Sequence, residues 1–147
     1  MSNLEAIDWP RPWPEAWWRH FTAAATRFFS DKGLSISQLT YTFYSDEGLN
    51  KVNREHLQHD DYTDIITFDY SRGKRLRGEI HISAERIEDN AATFHTELRL
   101  EVFRVMVHGL LHMTGLKDKT EQEAQAMRHA EAEFLNFALA FHVEHTS

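Results

Sequence analysis

The stretch from Thr96 to Gly115, "TELRLEVFRVMVHGLLHMTG", constrains the fold of this chain more than any other. It is apolar on nearly every side, so it is expected to form a central helix buried in the core. Its polar residues are not scattered. Glu97, Glu101, Arg104, His108 and His112 fall at steps of three and four, which places them on one stripe of that helix. A purely structural core helix would carry Leu or Ala at the two histidine positions.

The segments around it read as a small sheet and further helices. "NLEAIDW" is a short strand. Pro14 suits the first turn of a helix in which Trp17, Trp18, Phe21, Ala24, Ala25, Phe28 and Phe29 recur at helical spacing, and Gly33 closes it. "LSISQLTYTFYS" alternates and is rich in β-formers. "DEGLNKVNREHL" reads as a short amphipathic helix, with Asp46 as N-cap and Leu49, Val52 and Leu57 inward. "YTDIITFDY" and "LRGEIHIS" are two strands joined through "SRGK" as a hairpin. Ser83 caps a helix over "SAERIEDNAATFH", and "TEQEAQAMRHAEAEFLNFALAFH" is a final amphipathic helix ahead of a frayed tail. The order β-α-β-α-β-β-α-α-α implies an α+β fold: a small mixed four-stranded sheet with helices packed on it, in one domain spanning residues 1–147.

Composition narrows the chemistry. The chain has no cysteine, which excludes disulfides and thiolate sites, so any metal must be held by His, Asp or Glu. No apolar run reaches the length of a membrane span and the N-terminus lacks a secretory pattern, so a cytoplasmic protein without a membrane partner is expected. The formal net charge of -7 disfavours indiscriminate binding of polyanions, though not a local basic patch.

The chemistry lies at the end of the central helix, in "HGLLHMTGLKD" (His108 to Asp118). Residues four apart on a helix lie about 6 Å from each other on one face, so His108 and His112 can direct both imidazoles at one point. Gly115 stops the helix. A sharp turn there brings Asp118 back towards the histidines. Three protein ligands plus an open position is the pattern of a catalytic zinc site, where bound water becomes acidic enough to act as a nucleophile. With 10 histidines in the chain, chance pairing is the competing explanation; the helix, the glycine and the carboxylate together favour metal. Asp118 or a bound water supplies the third position, with His129 and Glu121 as further candidates. Peptidases of the H-E-x-x-H type carry a glutamate general base where this chain has Gly109, which argues against peptidase chemistry.

The same stretch resembles the H-G-x-L-H-L-x-G-Y-D-H motif of the YbeY family of bacterial metal-dependent endoribonucleases. Upstream, "LNKVNREHLQHDDYTDIITFDY" is similar to that family's L-N-x-x-Y-R segment followed by T-D-V-L-S-F, and "RGEIHIS" to its L-G-D-I-x-I-S strand. Departures are local. Asp118 stands where the family has its third histidine, Leu116 replaces a tyrosine, Asn53 replaces the tyrosine before the arginine, and the segment from Arg54 to Thr63 is longer. The resemblance implies a single-strand-specific metallo-endoribonuclease that hydrolyses phosphodiesters with a metal-activated water. It further implies action in small-subunit rRNA 3′-end maturation and ribosome quality control, and partnership with the small ribosomal subunit or one of its proteins. In that reading His108, His112 and Asp118 hold one Zn2+, with His112 and Arg54 as catalytic residues and Arg54 neutralising phosphodiester charge. An anionic ligand in place of the third histidine makes the bound water less acidic and admits another divalent metal. The alternative function is a ribosome-assembly binding factor with a mainly structural metal.

Other residues keep two readings. Arg72, Lys74, Arg75 and Arg77 either contact substrate phosphates or form a charged hairpin tip that blocks edge pairing, the second being slightly ahead. His81 either faces the metal cleft or is a hydrogen-bonded strand residue. Asp64 is read as structural. Glu101 and Arg104 either orient an imidazole or pair with each other at a helix face. His20, His56, His59, His95, His129, His142 and His145 are assigned to the surface.

Overall fold

The computed structural model describes residues 3–57 and 63–141. Four strands, β1 (Leu4–Ile7), β2 (Ser35–Tyr44), β3 (Ile65–Asp69) and β4 (Arg75–Ser83), form one sheet in the order β1-β2-β4-β3. β1 and β4 each run parallel to β2, and β3 pairs antiparallel with β4. The helices are α1 (Glu15–Ser30), α2 (Asp46–Val52), α3 (Ala84–Thr93), α4 (Leu98–Met113) and α5 (Glu121–Ala140), with a π turn over Asn53–Leu57 after α2. The expected α+β fold with a mixed four-stranded sheet is what forms, and its core lies on one face of the sheet: Leu39, Tyr41 and Phe43 of β2 and Leu76, Ile80 and Ile82 of β4 are buried with α1 and α4.

 The open face of the sheet alternates with these positions and carries Thr42, Tyr44, Arg75, Arg77, Glu79 and His81. Strand residues two apart point the same way, so the apolar set of β2 and β4 meets the helices, and the buried Tyr41 hydroxyl donates to Met106 O at 2.9 Å.

Local signals explain most boundaries. Pro14 immediately precedes α1, and the chain leaves that helix through Gly33 at φ +79°. Ser83 caps α3 by accepting from Arg86 N at 3.0 Å. Two expectations need correction. Ser45, not Asp46, caps α2, accepting from Gly48 N at 3.0 Å; Asp46 is the first helical residue, and its carboxylate takes bonds from Ser83 Oγ and Arg86. Val52 is half-buried, and Leu57 is exposed because the π turn over Asn53–Leu57 turns it away from the face that buries Leu49. The proposed frayed tail, residues 142–147, lies outside the described residues.

α4 crosses the inner face of the sheet with its polar stripe turned away from it. A Cβ on Gly109 would lie 2.7 Å from Ile80 Cδ1, and one on Gly78 would lie 2.8 Å from Met113 Cε. Gly109 thus meets Ile80 and Met113 meets Gly78, so α4 runs antiparallel to β4 and carries its C-terminal end towards the β3–β4 hairpin. Position 109 is glycine because the helix touches the strand there, which also explains why no glutamate base occupies it. In an exposed helix Gly→Ala gains about 1 kcal/mol. Gly109→Ala is expected to show no such gain and to lose up to about 2 kcal/mol through overpacking, measured by urea denaturation. A gain of the full amount would mean that the helix stands off the sheet.

Candidate metal centre

Two local motifs build the site. At the end of α4, Gly115 takes φ +106° and donates to His112 O at 3.0 Å, while Leu116 N donates to Leu111 O at 3.2 Å. This is a Schellman closure, and Leu116 packs against the core as its apolar contact. Five residues later Thr120 opens α5 with a capping box: its Oγ1 accepts from Glu123 N, and the Glu123 carboxylate accepts from Thr120 N and Lys119 N. The short segment between the two motifs is pinned at both ends, and Asp118 lies on it.

The result is a convergence of three ligand atoms. His108 Nε2 and His112 Nε2 are 3.0 Å apart, and Asp118 Oδ2 lies 3.2 Å from the first and 3.4 Å from the second. The far side of each ring is committed. His112 Nδ1 donates to Leu116 O at 2.9 Å, and His108 Nδ1 donates to Glu131 Oε2 at 2.6 Å. With Nδ1 protonated on both rings, neutral imidazoles point two lone pairs and a carboxylate oxygen at one another. That arrangement is repulsive without a cation between them. Tetrahedral bonds of about 2.0–2.1 Å give ligand–ligand edges of about 3.3–3.4 Å, close to the three distances here. The donor set fits a divalent metal, and among the described residues these three form the group able to hold one. His129 and Glu121, the other candidates for the third position, are exposed and are not part of it.

Sequence reasoning missed Glu131. It is buried in α5 and accepts from His108 Nδ1 with one oxygen; Arg104 Nη1 approaches its other oxygen at 3.4 Å. Arg104 also donates to both oxygens of buried Glu101, at 3.1 and 2.6 Å. Of the two readings of Glu101 and Arg104, the i, i+3 pair is what forms; the imidazole is held by Glu131, which Arg104 touches. The missed signal was a carboxylate on an apolar stripe, since Met127, Glu131, Phe134 and Ala138 recur at helical spacing and are all buried. Burial works against a charged His108 ring, but the hydrogen bond and charge of Glu131, with Asp118 and Asp64, outweigh it and raise its pKa above 6.5. A raised folded-state pKa means that the protonated ring stabilises the metal-free chain. That contribution is expected to be complete below about pH 6.5 and to disappear as pH rises through the raised value. Urea denaturation in chelator across this range measures it, and His108→Gln should flatten the slope.

The remaining residues fall elsewhere. Arg54 lies in the π turn, with Nη2 3.6 Å from Glu47 Oε1; such turns occur often at functional sites. Arg72, Lys74 and Arg75 are exposed at the hairpin. His81 is the hydrogen-bonded strand residue, on the open sheet face, with Nδ1 2.7 Å from the Tyr44 hydroxyl and Nε2 3.0 Å from Glu79. Asp64 takes a bond from Ser83 N on its backbone oxygen, and its charge reaches His108. His20 is half-buried rather than a free surface residue: it packs on Phe103 and its Nε2 lies 2.7 Å from Ala138 O. His59, His142 and His145 lie outside the described residues.

A family model described as endoribonuclease YbeY matches residues 11–138. An endoribonuclease YbeY of Christiangramia forsetii is 50% identical over 109 residues, 74% of this chain and 74% of the relative. One from Cytophaga hutchinsonii is 53% identical over 95 residues, 64% of this chain and 66% of the relative. The solution structure of TM1509 from Thermotoga maritima superposes with a TM-score of 0.69 at 17% identity, covering 93% of this chain and 89% of that one, and shares the fold. Among the described residues, no helix is long and apolar enough to cross a membrane.

Proposed function

The chain belongs to the YbeY endoribonuclease family, and from that premise we propose that it is a zinc-dependent endoribonuclease that hydrolyses single-stranded RNA. The observation that carries the metal part is the convergence of His108 Nε2, His112 Nε2 and Asp118 Oδ2, with both Nδ1 protons already committed. A zinc ion held by these residues supplies Lewis acidity, making water a nucleophile near neutral pH and drawing charge from the scissile phosphate.

The chain's own groups do the rest. Glu131 and the Leu116 carbonyl hold the two rings in the tautomer that leaves Nε2 free to bind. Arg54 neutralises charge on the phosphodiester as it is attacked. Arg72, Lys74 and Arg75 take phosphates of the bound strand. In this reading residues 1–147 act as one cytoplasmic domain, the substrate is the 3′ end of small-subunit rRNA, and the small subunit or one of its proteins is the partner in ribosome quality control. Family membership supports that biological setting.

The test compares wild type and His108→Ala, purified identically, on a single-stranded RNA with and without chelator. Cleavage by metal-loaded wild type alone is the expected result. Equal cleavage by both proteins, or full activity in chelator, overturns the mechanism.

A further inference from the structure

The β3–β4 hairpin carries a cationic concavity that the metal centre does not account for. It has a volume of about 260 Å³ and is lined by Ser37, Tyr70, Arg72, Arg75 and Arg77. Register explains the convergence. Arg77 and Arg75 are two apart on β4 and share its open face; Tyr70 N bonds to Arg77 O, and Arg72 bridges Arg75, so their side chains join the same face from the returning strand. Ser37 comes from the irregularity in β2 between Ile36 and Gln38, and its Oγ is 3.4 Å from Arg75 Nη2.

Edge protection does not explain Arg75 and Arg77. β4 lies between β2 and β3, so Arg75 and Arg77 stand on an internal strand with no free edge to blunt. Among the described residues, no carboxylate lies within 4.0 Å of any of the three guanidinium groups, although the chain has an excess of acidic residues. Like charges gathered without a counter-charge repel, which favours an anionic occupant. Tyr70 adds a ring that is 54% exposed beside them. Phosphate-binding guanidinium groups next to an exposed aromatic ring are the elements of a single-stranded nucleic-acid site.

The position fits the same substrate. The C-terminal end of α4 points towards this hairpin, with Met113 against Gly78, the neighbour of Arg77. β3 is the last strand of the sheet on this side, next to β4 and its arginines. We propose that this concavity is a second contact site for the single-stranded RNA, where Arg72, Arg75 and Arg77 hold backbone phosphates and Tyr70 stacks on a base. The inference rests on the endoribonuclease reading and extends it with a stacking contact at Tyr70 and a third guanidinium at Arg77.

The experiment uses the full chain loaded with zinc and a labelled single-stranded RNA of about 16 nucleotides. Initial cleavage rates give KM, and fluorescence anisotropy in chelator gives Kd. Tyr70→Ala is expected to raise both about tenfold, and Tyr70→Phe to restore them, since stacking needs the ring and not the hydroxyl. Arg75→Gln/Arg77→Gln is expected to raise Kd at least tenfold and to reduce the salt slope of binding by about 1.4, or about 0.7 per lost phosphate contact. Its Tm should hold or rise, because repulsion is relieved; a purely structural role would lower it. If wild type binds and cleaves RNA while these variants keep its Kd and salt slope, the hairpin contacts are wrong, and the metal-dependent nuclease reading stands without them. If Phe fails to rescue Tyr70→Ala, the stacking contact is wrong. If wild type neither binds nor cleaves single-stranded RNA, the nuclease reading falls and this inference falls with it.

Discussion

His112→Ala should lose bound metal and RNA cleavage together, whereas Arg54→Ala should keep the metal and lose only the cleavage. His112 supplies one of three converging donors, and its removal leaves His108 and Asp118 as a two-ligand site. The loss of metal affinity is expected to exceed the roughly 10–100-fold that changes behind the ligands cost. Arg54 has no place in that donor set; it lies in the π turn after α2. Loss of one charge-stabilising contact in the transition state costs about 10²–10³ in kcat. Metal content by elemental analysis, read beside single-turnover rates, separates the two variants. An Arg54→Ala protein with wild-type kcat removes that residue from the chemistry, and a His112→Ala protein that retains stoichiometric metal removes the triad.

Glu131→Ala should weaken metal binding although Glu131 is not a ligand in the triad. Its carboxylate fixes the His108 ring and is buried between that ring and Arg104. Deleting it frees the ring to turn and leaves Arg104 with Glu101 as its remaining carboxylate partner. Metal affinity is expected to fall about 10–100-fold. Breaking a buried charge pair costs about 3–5 kcal/mol; the surviving Glu101 bonds place the expected loss near the lower end of that range. Competition titration against a chelator measures the first effect and urea denaturation of the metal-free chain the second. Glu131→Gln keeps an acceptor for His108 Nδ1 and should fall between Ala and wild type in metal affinity. Wild-type affinity in Glu131→Ala would show that the Leu116 turn and the helix alone set the ligand geometry.

The family resemblance was legible in the sequence because its motif is contiguous, and the structural comparison extends it to the fold at low identity. Leu57 shows where the reading failed. Its apolar character and spacing suggested an inward position, but one widened turn changed its direction. The error over His20 has a similar origin: its partner, the Ala138 carbonyl, lies far along the chain, on α5.

What the sequence determined by itself was local in cause. Helical periodicity brought His108 and His112 to one face, Gly115 provided the left-handed turn that ends α4, and the spacing to Asp118 returned a carboxylate to the same point. Each depends on geometry within a few residues. Only the tertiary structure decided that Glu131 would hold His108 across the α4–α5 contact, that His81 would face away from the metal, and that Arg75 and Arg77 would occupy an internal strand. Those outcomes depend on which elements pack side by side and which strand lies at the edge, and burial of the shared apolar core sets both.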